Sequence, residues 1–252
     1  MNGFQPWAVV PVYNHHARLG AVVAALREHG LPVLLVNDGS DDATRAVIDS
    51  LATAEGVHSL HLPTNGGKGA AVLAGIVHAG AEGGTHALQV DADGQHDLAD
   101  VPRLLALAAE QPGALVSGCP QYDDSVPPVR FYGRYLTHVM VWLETCSLSL
   151  RDSMCGFRVY PVAPVLALSR RVRIGRRMDF DTDIMVRLYW AGTPGVFVPT
   201  RVRYPEDGVS HFRMVRDNLR MIWLHARLVA GMLPRLPRLV LRRRKRGIAR
   251  KL

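Results

Sequence analysis

Two carboxylates one residue apart, Asp91 and Asp93, end an apolar run that begins at Thr85. The stretch reads Gln89-Val90-Asp91-Ala92-Asp93-Gly94-Gln95. A hydrophobic run that stops abruptly in acids predicts a buried strand delivering them to the edge of a sheet. Like charges this close raise each other's pKa unless something positive sits between them. A divalent cation meets that need. Oxygen ligands suit Mg²⁺ or Mn²⁺, which keep several waters and share their open positions with substrate phosphates. The plainer alternative is a polar turn after a strand, so the rest of the chain has to decide.

The preceding elements place compatible groups beside this stretch. Trp7 to Tyr13 reads as a strand ending in Pro11-x-Tyr13-Asn14, and His15 to His29 as an amphipathic helix closed by Gly30. Val33 to Val36 is a second strand that exits into Asn37-Asp38-Gly39-Ser40. Asp41 and Asp42 then suit the first turn of a helix running to about Ala54. Val57 to Leu62 is a third strand, and Asn65-Gly66-Gly67-Lys68-Gly69 is a glycine-rich turn opening a helix to about Ala81. Thr85 to Val90, a helix over Leu98 to Glu110 and a strand over Ala114 to Ser117 complete the alternation. Strand and helix alternating through short connections predict an α/β protein with an open, mostly parallel sheet flanked by helices. Ligands of such sheets bind outside the carboxyl ends of the strands. Four of those ends carry the polar groups just named.

After Gly118 the alternation loosens. Gln121 to Val129 is a loop, Phe131 to Leu148 a helix, and Asp152 to Arg158 leads into a short strand. Met178 to Asp183 opens another helix, and Gly195 to Val198 and Arg201 to Tyr204 read as two strands. From Phe212 a basic amphipathic helix is expected, with Val215, Leu219, Ile222, Ala226, Val229 and Leu233 at helical spacing. Pro234 and Pro237 are expected to break it. The expected division is a domain over 1–211 and a helix with a polybasic tail over 212–252.

The chain has 252 residues, 48% hydrophobic, enough for one sizeable core. Its net charge is +8, with 30 Lys and Arg against 22 Asp and Glu. Nine of those cations lie from Arg235 onward with no acid among them, so the body is near neutral. A neutral body without aromatic interleaving in the tail speaks against nucleic acid. A basic amphipathic helix followed by an arginine run suits an anionic membrane surface. Cys119, Cys146 and Cys155 have no metal-type spacing and read as free thiols. No secretory signal and no bilayer-spanning run is expected.

With these residues laid out, the chain resembles the family-2 glycosyltransferases of the GT-A fold, in the dolichyl-phosphate mannose or glucose synthase-like branch. The resemblance covers about Val9 to Phe212. It rests on Val10-Pro11-Val12-Tyr13-Asn14, Val36-Asn37-Asp38-Gly39-Ser40, Asn65-Gly66-Gly67-Lys68-Gly69, Asp91-Ala92-Asp93-Gly94-Gln95, Gly156-Phe157-Arg158, Phe180-Asp181-Thr182-Asp183 and Gly208-Val209-Ser210, in that order. It implies a nucleotide-sugar donor held by Pro11, Tyr13, Asn14, Asp38, Gly66, Gly67, Lys68, Asp91, Ala92 and Asp93. It implies a Mg²⁺ or Mn²⁺ ion at Asp91, Asp93 and Gln95. It also implies an inverting transfer of a hexose to a lipid acceptor at the cytoplasmic face of a membrane.

The chain departs from that pattern. His15 replaces an acid after Tyr13-Asn14, and Cys119-Pro120 stands where many relatives carry a phosphate-binding Arg. His211 follows Gly208-Val209-Ser210 in place of Lys or Arg. Arg130, Arg134, Arg158, Ser210, His211 and Arg213 are the candidates to meet phosphate instead. A polyprenyl phosphate acceptor is already ionised and needs no strong base, whereas a hydroxyl lipid needs a carboxylate to take its proton. Asp152 is the first candidate for that base, followed by Asp181 and Asp183. A dinucleotide-dependent oxidoreductase would want Gly-x-Gly-x-x-Gly after the first strand, and it is absent. A catalytically silent nucleotide-sugar-binding protein on the membrane surface is the alternative from another class.

Overall fold

Period-two alternation decides the first strand. In β1 (Pro6–Val12), Ala8, Val10 and Val12 face one apolar layer while Trp7 and Val9 face another. The computed structural model describes residues 3–121, 128–201 and 214–241, with side chains of the later segments described from 133 and from 216. The remaining strands are β2 (Val33–Asn37), β3 (Val57–His61), β4 (His86–Gln89), β5 (Leu115–Gln121), β6 (Arg158–Pro161) and β7 (Gly195–Arg201). They form one seven-stranded sheet in the order β3-β2-β1-β4-β6-β5-β7. Only β6 opposes its neighbours, pairing antiparallel with both β4 and β5. The entrance of β6 therefore lies at the same edge as the exits of the parallel strands.

Helices cover both faces. α1 (Leu19–Glu28), α2 (Asp42–Leu51) and α4 (Val101–Glu110) pack Leu19, Val22, Leu26, Ile48 and Leu104 onto one face. α3 (Lys68–Ala81), α6 (Val162–Ser169) and α7 (Phe180–Ala191) cover the other. α5 (Pro128–Thr145) and α8 (Met214–Met232) join that second layer through Val141, Leu224, Leu228 and Met232. Asp41 caps α2, its carboxylate accepting from the Thr44 amide at 2.8 Å.

Several boundaries differ from expectation for local reasons. α1 starts at Leu19 rather than His15, because Asn14 takes a positive φ of 47° and the next residues form turns. The strand expected over Gly195 to Val198 runs on through Pro199 to Arg201, and the second expected strand, Arg201 to Tyr204, lies outside the described residues after Arg201. An edge strand tolerates proline, since one row of its backbone groups needs no ladder partner. Pro234 and Pro237 do not end the C-terminal helical run. A short 3₁₀ turn over Leu233–Arg235 places Pro234 where its missing N–H costs little, and the chain is helical again over 236–241. The apolar stripe read from sequence is also not the face that α8 buries. Leu219, Ile222, Ala226 and Leu233 are exposed, Val229 is half-buried, and Leu224, His225 and Leu228 pack inward. The buried Glu144 carboxylate meets His225 Nδ1 at 2.7 Å and ties α5 to α8.

Candidate active site

The exits of β1, β2 and β4 and the entrance of β6 converge on one edge. β4 stops after Gln89, and Asp91 follows it with its side chain about one-quarter exposed. Lys68 opens α3 and reaches across to it. Its Nζ donates at 2.9 Å to Asp91 Oδ2, lies 2.8 Å from Oδ1, and is 3.3 Å from Asp181 Oδ2 at the start of α7. His96 Nε2 approaches Asp91 Oδ2 at 3.5 Å, its ring stacked on Phe157. Burial alone would push the Asp91 carboxyl up, but the Lys68 ammonium and His96 outweigh it and hold the group far below the usual carboxylate range. Burial likewise works against the Lys68 charge, and Asp181 and Asp91 reverse that effect, so the ammonium is held.

Behind this pair sits a wholly buried layer. Arg158, the register partner of Gln89, donates from Nη1 to the Asp181 carbonyl, and the same nitrogen is 3.8 Å from Asp181 Oδ1. Tyr160 Oη donates to Gln89 Oε1 at 3.0 Å, and Gln89 Nε2 donates to Asp181 Oδ1 at 3.4 Å. Arg158 is fully buried, so it acts here on Asp181 and not at an open surface. Gly156 sits against the ion pair, where a Cβ would fall 2.5 Å from Lys68 Nζ and 2.8 Å from Asp91 Oδ2.

The glycine-rich turn is built around Asp38. The amides of Gly66 and Gly67 donate to its two carboxylate oxygens at 2.7 and 2.8 Å. Gly67 holds a φ of 96°, and a Cβ there would strike Arg177. Arg177 Nη1 donates to Asn65 Oδ1 at 3.1 Å, so the 176–177 segment closes over the turn. Burial raises the Asp38 pKa, opposed by the two amides and by Arg177. Asn14 binds the neighbouring loop, accepting from the Asp41 amide at 2.8 Å. Beside these groups lies a cavity of about 290 Å³ lined by Asn37, Gly39, Ser40, Arg45, His61 and Thr64. Pro11 is half-buried within β1, and Tyr13 at its exit is 38% exposed.

Asp152 forms a second constellation. Its Oδ1 accepts from the Met154 and Cys155 amides at 2.8 Å each, and its Oδ2 accepts from Arg134 Nε at 2.9 Å and from Nη2. His138 Nε2 stands 3.6 Å from Oδ2. Burial opposes ionisation, but His138 and the Arg134 guanidinium overcome it and hold the carboxyl well below the usual range. A carboxylate with four donors and a depressed pKa is a poor general base. Asp183 is also committed, to Arg187 Nε and to the Gly175 amide at 2.8 Å. Of the three candidate bases, Asp181 alone reaches the Asp91 group. Arg130, Ser210, His211 and Arg213 lie outside the described side chains, as does the arginine run after Leu241. Gln89, His96, His138 and Arg177 join the site through the fold, and their place in the sequence does not mark them as site residues. A Gln inside an apolar strand was the one local signal among them.

Two carboxylates and no sulfur or self-contained cage fit a hard divalent cation. Asp93 Oδ1 accepts from the Gln95 amide at 3.0 Å, while Oδ2 has no partner among the described residues. Among those residues no cluster of three or more His, Cys, Asp or Glu forms a closed metal site.

The topology, with its opposed β6, and the carboxylates at the β4 exit define a GT-A-type fold. The glycosyl transferase family 2 model matches residues 7–172, more than half of the chain, and the chain belongs to that family of glycosyltransferases. It is 37% identical over 228 residues to a polyprenol monophosphomannose synthase of Mycolicibacterium smegmatis, covering 84% of this chain and 82% of that one. It is 31% identical over 247 residues to a dolichyl-phosphate beta-glucosyltransferase of Drosophila melanogaster, covering 86% and 73%. The fold is shared with glucosyl-3-phosphoglycerate synthase of Mycobacterium tuberculosis, solved with Mn²⁺ and UDP-glucose, at a TM-score of 0.65 and 16% identity over 92% of this chain and 79% of that one.

Proposed function

We propose that this chain is a metal-dependent, inverting hexosyltransferase that moves a sugar from a UDP- or GDP-hexose to a polyprenyl phosphate at the cytoplasmic face of a membrane. The observation that carries the proposal is the open-sided Asp91/Asp93 pair at the edge where β4 exits and β6 enters. The relatives named for polyprenol- and dolichyl-phosphate substrates support the acceptor class. Asp91, Asp93 and Gln95 would hold Mg²⁺ or Mn²⁺, which when bound offsets charge on the diphosphate leaving group. The cavity lined by Asn37, Gly39, Ser40 and Thr64, on either side of Asp38 and just before the Gly66-Gly67 turn in sequence, suits the nucleoside. On the acceptor side, Arg134 is oriented by Asp152, with His138 beside it, which suits an acceptor that arrives ionised. An anionic nucleophile needs no proton removed, and that agrees with the saturation of Asp152.

Among the described residues no helix is long and apolar enough to cross a membrane. The reading is peripheral docking. α5 exposes Tyr135, Leu136 and Leu143, and α8 exposes Leu219, Ile222 and Trp223 alongside Arg216. Flotation with anionic vesicles should weaken several-fold in a Leu219→Ser, Ile222→Ser, Trp223→Ser variant, and unchanged flotation would remove α8 from the docking face. The activity itself is tested with labelled UDP- and GDP-hexoses offered to polyprenyl phosphate and to the free polyprenol. Label is expected on the phosphate lipid only, and lost with EDTA. Equal label on the free alcohol would replace the acceptor class with hydroxyl lipids.

A further inference from the structure

We infer that Lys68 is an internal counter-cation of Asp91 that keeps a divalent metal weakly bound until a nucleoside diphosphate arrives, coupling the two binding events. The inference rests on the metal reading above. Lys68 is positioned by backbone, as the first residue of α3 after the turn clamped onto Asp38. Its Nζ contacts both oxygens of Asp91, at 2.8 and 2.9 Å, and so claims the carboxylate a metal would use. Asp181 at 3.3 Å gives the ammonium a second anchor when Asp91 is taken. Gly156 leaves room for Nζ on that side and for little else.

Charge then sets the order of events. Asp91 and Asp181 are balanced by Lys68 and Arg158, which leaves the single charge of Asp93 to face an incoming ion, less than a divalent cation needs. A divalent ion entering alone adds two charges beside two fixed cations in a partly buried site, where repulsion is poorly screened. A diphosphate supplies at least two negative charges. It offsets the ion and offers oxygens to the displaced ammonium. The metal and the nucleotide therefore each raise the other's affinity by the same factor.

The test is Mn²⁺ titration of the full chain, followed by the electron paramagnetic resonance signal of free Mn²⁺, without nucleotide and with saturating UDP or GDP. In the wild type, nucleotide should tighten Mn²⁺ at least roughly tenfold. Lys68→Met should bind Mn²⁺ alone roughly tenfold more tightly than wild type, and its nucleotide coupling should shrink towards one. Lys68→Arg should keep the wild-type pattern. Lys68→Gln, with the same expectation as Met, serves if Lys68→Met does not fold. Unchanged or weaker nucleotide-free binding in the neutral variants overturns the inference while leaving the metal site intact. Equal Mn²⁺ affinity with and without nucleotide in the wild type also overturns it. No Mn²⁺ binding by any form, with either nucleotide, overturns the metal reading and the inference together.

Discussion

Asp91 and Asp152 stand at the same edge of the sheet, each beside a cation, and they differ in what is left over. Asp91 keeps about a quarter of its side chain exposed and is held by the end of one lysine and the edge of one histidine. Asp152 is 2% exposed and takes two amides and a two-nitrogen contact from Arg134. A carboxylate with an open side and exchangeable partners is suited to receive a ligand. One with every lone pair engaged is suited to hold another residue in place. The difference supports the proposal that donor chemistry belongs to the β4 exit and acceptor positioning to the loop before β6.

The largest effect expected from that contrast is on stability at Asp152. Arg134→Ala leaves a buried charge without its main partner and should cost about 3 kcal/mol or more in denaturant unfolding. A loss under about 1 kcal/mol would show that the amides suffice. Asp91→Asn should instead leave the fold nearly intact and lower transfer by roughly 100-fold, about 3 kcal/mol of transition-state stabilisation. A comparable loss of stability in Asp91→Asn would erase the distinction between the two sites.

The architecture of the first half is legible in the sequence. The βα alternation of the first half follows from period-two runs cut by polar turns, and Asp91 and Asp93 announce themselves by ending such a run. The second half hides its logic. Nothing in the sequence announces α6, because Val162–Ser169 is apolar nearly all round and carries no helical stripe. The partners of the site residues were also hidden. Lys68 finds Asp91 across 23 positions because α3 starts at the edge where β4 ends, and Gln89 finds Asp181 across 92, behind an inserted antiparallel β6 whose Arg158 also meets Asp181. No local pattern reports that insertion. Arg158 reads from sequence as a candidate for phosphate, and the register that buries it against Asp181 is a property of the sheet.

A smaller effect should follow from Gly156→Ala. The added Cβ displaces Lys68 Nζ or Asp91 and should weaken nucleotide-sugar binding about tenfold, or 1.4 kcal/mol. The smallest contrast is in acid. The folded-state pKa values of Asp91 and Asp152 both lie below their unfolded value of about 4, so their stabilisation is complete above that pH and is lost as the pH falls below it. In Arg134→Ala, burial is no longer countered by the guanidinium and the Asp152 share of that slope should flatten. An unaltered slope below pH 4 would mean that Asp152 contributes nothing to it.

The most direct test of the account is calorimetric binding of UDP- and GDP-hexoses to the wild type and to Asp91→Asn, with Mn²⁺ and with EDTA. The account predicts that one nucleotide sugar binds the wild type only with Mn²⁺, and that Asp91→Asn abolishes the metal-dependent part while still melting as a folded protein. Binding of equal strength in EDTA, or binding by Asp91→Asn that matches the wild type in Mn²⁺, would contradict it.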